Sequence, residues 1–143
     1  MTWPAHGSAA VTRALLEEEW IPQYERPDYY NWAIVWRESG AVIGNIEAFK
    51  LRESVGEVTL GYCLSRAFWG RGIMPEAVHE VMKFFFCQVG VSRIQAEHDT
   101  RNPKSGRVMQ KCGMQYEGTL RQKILTTAGP ADVCVYGILK SEF

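Results

Sequence analysis

Residues 61–77 run Gly61-Tyr62-Cys63-Leu64-Ser65-Arg66-Ala67-Phe68-Trp69-Gly70-Arg71-Gly72-Ile73-Met74-Pro75-Glu76-Ala77, and the architecture of the domain turns on how they are read. The segment opens on the end of a strand. From Val55 to Leu64, the residues Val58, Leu60, Tyr62 and Leu64 alternate with Glu57, Thr59, Gly61 and Cys63, the period of a two-faced strand. It closes on the start of a helix. Ala77, Val78, Val81, Met82, Phe85 and Val89 recur at helical spacing, with Glu76, His79, Glu80 and Lys83 largely off that stripe, so Met74–Val89 is predicted helical. Pro75 suits the first turn and Gly90 the position just past the end. Between strand and helix lies a turn with Gly70 and Gly72. Glycine tolerates positive φ and lets a ligand approach the main chain, and the unpaired N–H groups of a helix start face the same space. Such a junction accommodates a phosphate or pyrophosphate, with Arg66 and Arg71 adding charge. It is not a Walker A loop, which ends Gly-Lys-Ser/Thr. Nor is it a Rossmann loop, because Pro75 stands at the third glycine position.

Upstream, Ser8–Glu19 reads as a helix capped by Ser8, with Val11, Leu15, Leu16 and Trp20 at helical spacing and Pro22 expected to end or kink it. Glu17, Glu18 and Glu19 form its solvated face. Pro27-Asp28 marks a turn into a strand at Asn31–Arg37. Ser39-Gly40 turns it into a second strand at Val42–Leu51. Downstream, Arg93–His98 is a short strand. Asn102 and Pro103 open a second helix that ends at Gly113. Strands at Gln115–Ile124 and Asp132–Leu139 close the chain around a turn at Gly129-Pro130. The hairpins favour antiparallel pairing, while the crossover helix Met74–Val89 sets the third and fourth strands parallel. The reading is a mixed α/β sheet domain.

Composition bounds what such a domain can do. The 143 residues, 46% hydrophobic and 22% charged, fit a single domain spanning the whole chain with its own core. Sixteen basic side chains balance sixteen acidic ones, which argues against nucleic-acid binding. Cys63, Cys87, Cys112 and Cys134 form no C-x-x-C pair, and His6, His79 and His98 form no H-x-x-x-H pair, so no metal is expected. Met1–Gly7 is polar and the longest apolar run, Phe84–Cys87, is too short to span a bilayer. A cytoplasmic protein with reduced thiols and no membrane partner is the expectation.

A strand, a G-x-G turn, an apolar helix, a short strand, then Asn102-Pro103-Lys104-Ser105 through Lys111-Cys112-Gly113-Met114 form one ordered constellation. In it the chain resembles the GNAT acetyltransferase superfamily, in the RimJ/RimL-like branch, from roughly residue 31 to the C-terminus. The resemblance implies a GNAT-like fold, a mostly antiparallel sheet splayed between the third and fourth strands, with acetyl-CoA in the opening as cosubstrate. Backbone groups near Cys63 and Leu64 would pair with the pantetheine amides as an added strand does. Ala67, Phe68, Trp69, Gly70, Arg71, Gly72 and Ile73 would cradle the pyrophosphate. Ala67 stands where the family usually has Gln or Arg, which removes one side-chain contact. Asn102 matches the family asparagine that reaches the pantetheine arm, a role compatible with capping the helix. Phe68 and Trp69 either pack in the loop or touch the cosubstrate.

The implied reaction is direct acetyl transfer to a primary amine, on a protein N-terminus or a small molecule. The ammonium must lose a proton before attack, and the departing thiolate benefits from a donor. Many family members place a tyrosine donor where Met109 stands here. Ser105 matches the branch's N-x-x-S serine, and its alternative is a small residue in a helix's first turn. The branch often carries a glutamate just before Gly-Tyr, at the position of Thr59. Glu57, on the same strand face, is the leading base, acting through water with Thr59; Glu47 and His98 are the reserves. Family members usually begin with a further strand and helix, which this chain lacks ahead of Ser8. A homodimer covering the exposed sheet edge is one expectation. A catalytically impaired acyl-CoA-binding module of the same fold is the alternative function. A nucleotide-binding enzyme ranks below both, for want of an acidic metal-binding motif.

Overall fold

The computed structural model describes residues 6–143; the first five residues of the polar opening segment Met1–Gly7 lie outside them. Six strands form one sheet: β1 (Tyr30–Trp36), β2 (Ala41–Arg52), β3 (Glu57–Leu64), β4 (Arg93–Asp99), β5 (Gln115–Thr126) and β6 (Gly129–Leu139). Their spatial order is β1-β2-β3-β4-β6-β5. Every neighbouring pair is antiparallel except β3 and β4, which are parallel, as the crossover helix requires.

Three α-helices accompany the sheet: α1 (Ala9–Leu15), α2 (Ile73–Phe84) and α3 (Pro103–Lys111). The Ser8 hydroxyl accepts from the Val11 N–H and caps α1. Beyond Leu15 the chain does not stop where expected. It widens into a π turn at Leu16–Trp20 and tightens into a 3-10 segment at Ile21–Glu25. Pro22 has no N–H to donate, so the i→i+4 ladder breaks, but proline costs little in the first turn of the new segment. The third strand begins at Glu57 rather than Val55, because Glu53–Val55 coils into a 3-10 turn closed by Gly56 at φ 61°. The closing hairpin is longer than predicted. Pro130 pairs with Leu125, and the chain reverses at Thr127-Ala128, just before Gly129 at φ 98°.

α2 and α3 share one face of the sheet. Val58, Leu60, Met74, Val78, Met82, Phe85, Ile94 and Met109 are all buried in one cluster beneath them. The α2 stripe supplies that core, and each fully buried side chain of this size contributes about 1.5–3 kcal/mol. Tyr30, Trp32 and Phe84 ring Phe85 edge-on, anchoring β1 to the far end of α2. Gly90 at φ 83° then turns the chain into β4. The other face carries Glu57, Thr59, Gly61 and Cys63 of β3, with Glu47 of β2 opposite Gly61.

Candidate active site

The parallel pairing of β3 with β4 runs Glu57↔Arg93, Val58↔Ile94, Thr59↔Gln95, Leu60↔Ala96 and stops. β3 continues to Leu64 against β2, while β4 continues to Asp99 against β6. The two strands therefore part after Leu60, leaving a cleft between Gly61–Leu64 and Glu97–Asp99. Ser65 N–H donates to Ile43 C=O at 2.7 Å, which puts Cys63 and Gly61 among the residues bonded to β2. Backbone alternation then turns the amide groups of Tyr62 and Leu64 toward the cleft. The Leu64 carbonyl is already used, accepting from the Trp69 indole Nε1 at 2.8 Å. Cys63 thus spends its backbone groups on β2, and the cleft edge belongs to Tyr62 and Leu64.

The loop after β3 wraps the mouth of this cleft. Arg66–Phe68 makes one 3-10 turn, and Gly70 (φ 78°) and Gly72 (φ 80°) take left-handed conformations. A Cβ added at either glycine would meet nothing within 4 Å, so these glycines are required by the backbone angle and not by crowding. The 12-residue α2 starts immediately afterwards, and its first turn leaves N–H groups unpaired. Arg71 lies over the Phe68 ring at 5.3 Å, and Phe68 packs on Trp36 at 5.5 Å. Lys104, at the start of α3, sits over the Trp69 ring at 4.7 Å. Trp69 is therefore a bridge from the loop to both β3 and α3. Lys104 is a cation at the cleft that sequence reasoning passed over, although it lies inside the Asn102–Ser105 motif.

On the helical face the cleft is tied by Tyr62. Its hydroxyl donates to the Ser105 carbonyl at 2.9 Å and accepts from Ser105 Oγ at 3.1 Å. Burial pushes the phenol above its ordinary range. Ser105 is at the cleft as expected, but its hydroxyl proton is engaged by Tyr62. Asn102 occupies the N-cap position without capping, since its side chain makes no cap hydrogen bond, and it stays exposed. Its amide is free of the competing role that the sequence allowed it. His98 lies beneath α3, where a Cβ on Gly106 would come within 2.6 Å of Nε2, and its Nδ1 is 2.8 Å from the Asp99 carbonyl. That ring is packed into the α3 contact.

The carboxylates sort differently from the expectation. Glu57 is 5% exposed, at the paired end of β3, away from the cleft. Its carboxylate accepts from Arg52 Nε at 2.9 Å and Arg93 Nε at 2.8 Å. Burial alone would raise this carboxyl, but the two guanidiniums outweigh it and hold the group below the usual carboxylate range. Arg93 also binds Glu117, so the group belongs to an ion network across the sheet. This counts against Glu57 as the proton acceptor. Thr59 is 1% exposed, so its hydroxyl is not open to bulk water. Glu47 is the contrasting case. It faces Gly61 across β2–β3, and a Cβ on Gly61 would lie 3.2 Å from its Oε1. Half-buried and without a salt bridge or hydrogen bond among the described residues, its carboxyl is raised by desolvation.

A splayed parallel pair, a two-glycine junction and an open helix start lie together at one end of a cleft. The residues fit acetyl-CoA: empty space over Gly70 and Gly72, Arg66, Arg71 and Lys104 nearby, and an uncommitted Asn102. The acetyltransferase (GNAT) domain family matches residues 1–115, and the chain belongs to that family. It is 32% identical over 117 residues to the uncharacterized N-acetyltransferase YoaA of Bacillus subtilis, spanning 82% of this chain and 66% of that one. It is 29% identical to the uncharacterized N-acetyltransferase p20 of Bacillus licheniformis, spanning 78% of this chain and 63% of p20. The chain thus covers a little under two thirds of these relatives' length. Among solved structures, the ribosomal-protein-S5-alanine acetyltransferase of Vibrio fischeri superposes with a TM-score of 0.83 at 21% identity, over 99% of this chain and 80% of that one. Among the described residues no group of His, Cys, Asp and Glu could hold a metal, and no helix is long and apolar enough to cross a membrane.

Proposed function

We propose that this domain transfers an acetyl group from acetyl-CoA to a primary amine by direct attack in a ternary complex. The observation that carries the reading is the end of β3–β4 pairing at Leu60↔Ala96, directly beside the Gly70–Gly72 junction and the start of α2. When bound, acetyl-CoA supplies the activated acetyl group. The amides of residues 70–74 and the charges of Arg66 and Arg71 suit its pyrophosphate. The cleft edge at Tyr62 and Leu64 suits the amide-bearing arm, with Asn102 reaching from the other side. Ala67 through Ile73 form the cradle, and Cys63 supports it from the β2 side. Tyr62 and Ser105 hold α3 at the cleft, and Ser105 would return a proton to the thiolate only by giving up its bond to the Tyr62 hydroxyl. The acceptor approaches from the sheet face opposite α2 and α3. A protein N-terminus in the manner of the RimJ/RimL-like branch is one acceptor class, and a small amine is the other. A cytoplasmic setting accords with the reduced, unpaired cysteines.

Titration calorimetry with acetyl-CoA, followed by a turnover screen over diverse amines with mass detection of product, tests the proposal. Binding with turnover is expected. Absence of binding at high micromolar acetyl-CoA removes the function. The second reading, a binding module without catalysis, is favoured by the immobilised Glu57, and binding without turnover on any amine would select it.

A further inference from the structure

We propose that Glu47 is the base of this site, taking the proton from the acceptor ammonium directly or through one water. The inference rests on the acetyl-transfer reading above and assigns its missing proton acceptor.

Three independent features place the carboxyl there. First, Glu47 stands opposite Gly61, the first residue of β3 beyond the last β3–β4 pair, so its strand position is level with the opening of the cleft. Second, Gly61 has no side chain, and the Glu47 carboxyl with the Phe49 ring occupies the space a Cβ would need, at 3.2 and 3.0 Å. The carboxyl is thereby laid over the strand. Third, it is half-buried and has no salt bridge or hydrogen bond among the described residues, whereas Glu57 on the same sheet face is held by two arginines. The resemblance places a glutamate at the position of Thr59, two residues before Gly61 on the same strand face. Here the adjacent strand delivers a carboxyl to the same face instead.

Among the described residues, the surroundings of Glu47 carry no counter-charge. On β1 its register partner is Asn31, whose amide donates to the Tyr29 hydroxyl at 3.4 Å and whose Oδ1 accepts from Asn45 at 3.3 Å. On β3 it is flanked by Thr59 and Cys63, on the face where Glu57 is already neutralised by Arg52 and Arg93. Desolvation therefore acts unopposed and raises the carboxyl toward the pH at which a base is most effective. In the step itself the acceptor N–H bond breaks and a Glu47 O–H bond forms. The freed nitrogen lone pair makes the bond to the acetyl carbon as the carbon–sulfur bond breaks. The nitrogen's surplus second proton leaves with the thiolate as thiol, and Glu47 returns its own proton to solvent.

The test compares wild type, Glu47→Gln and Glu47→Asp by three readouts. Carbon-13 NMR of glutamate-labelled protein, with the Gln variant assigning the resonance, should show Glu47 titrating above the ordinary glutamate value in the free protein. Acetyl-CoA calorimetry should give the same affinity for all three proteins. Turnover should fall about 100-fold in the Gln variant, with loss of the acidic limb of the pH–rate profile, and recover partly in the Asp variant. Glu47 titrating at or below the ordinary value overturns the proposal, as does a Gln variant with wild-type kcat/KM and an unchanged pH profile. In either case acetyl transfer itself still stands. Wild-type protein that binds acetyl-CoA but acetylates no amine overturns the base and leaves the binding module. Wild-type protein that fails to bind acetyl-CoA removes both.

Discussion

Glu57 and Glu47 lie on one face of the same sheet and lose water for the same reason, yet their carboxyls move in opposite directions. At Glu57 two guanidiniums outweigh burial. Removing the charge by Glu57→Gln strands Arg93 against Glu117 alone and should destabilise the fold by about 3 kcal/mol, the low end for a buried pair because Arg52 is largely exposed. Chemical denaturation measures the loss, and acetyl-CoA affinity should be unchanged. The sign of the pH dependence follows. Glu57, Glu117 and Asp99, the last held at about 2 by Arg101, are depressed in the fold, so their contribution is complete above the unfolded carboxylate pKa and disappears as pH falls below about 4. Glu47 is raised, so folding prefers its neutral form and its charge weakens the fold at neutral pH. Glu47→Gln should therefore raise the melting temperature at pH 7 and make no difference near pH 3. A melting temperature that falls at pH 7 would show a stabilising contact at Glu47.

At the scale of elements, two junctions carry the site. The turn into α2 needs left-handed backbone at Gly70 and Gly72 with open space above them. Gly72→Ala should cost about 1 kcal/mol through the angle alone and weaken acetyl-CoA binding by lowering order in the loop. Calorimetry and melting on the same protein separate the two effects. The α3 contact is different in kind. Gly106 is required by crowding, because His98 occupies the space of its Cβ. Gly106→Ala should push α3 off β4 and break the Tyr62–Ser105 bonds, with a loss of about 1–3 kcal/mol typical of overpacking. Retention of wild-type stability there would mean that α3 tolerates a shift.

Across the whole molecule, the N-terminal arm is the least integrated part. Residues 9–25 include no buried side chain, and Val11, Leu16, Ile21 and Tyr24 are exposed. β1 also ends the sheet, with no strand on its outer side among the described residues. If a homodimer covers this region, light scattering after size exclusion should report twice the chain mass. A stable monomer without aggregation would remove that expectation.

Strand and helix identities, the parallel crossover and the two-glycine junction were legible in the residues because each is a local pattern: period two, period 3.6, a cap, a turn. Pro22 was expected to end or kink the first helix, and at that point the coil changes its hydrogen-bond pitch without ending. The left-handed turn at Gly70 and Gly72 was legible for the same local reason. The surroundings of the carboxylates were not. Whether a glutamate is neutralised or left alone depends on which strand lies beside it and at what register. The sequence by itself determined the family, the order of elements and the two-glycine turn between β3 and α2. Only the tertiary structure decided that Arg52 and Arg93 converge on Glu57 while Glu47 settles alone over Gly61, since charge pairing and desolvation arise between strands and not along them.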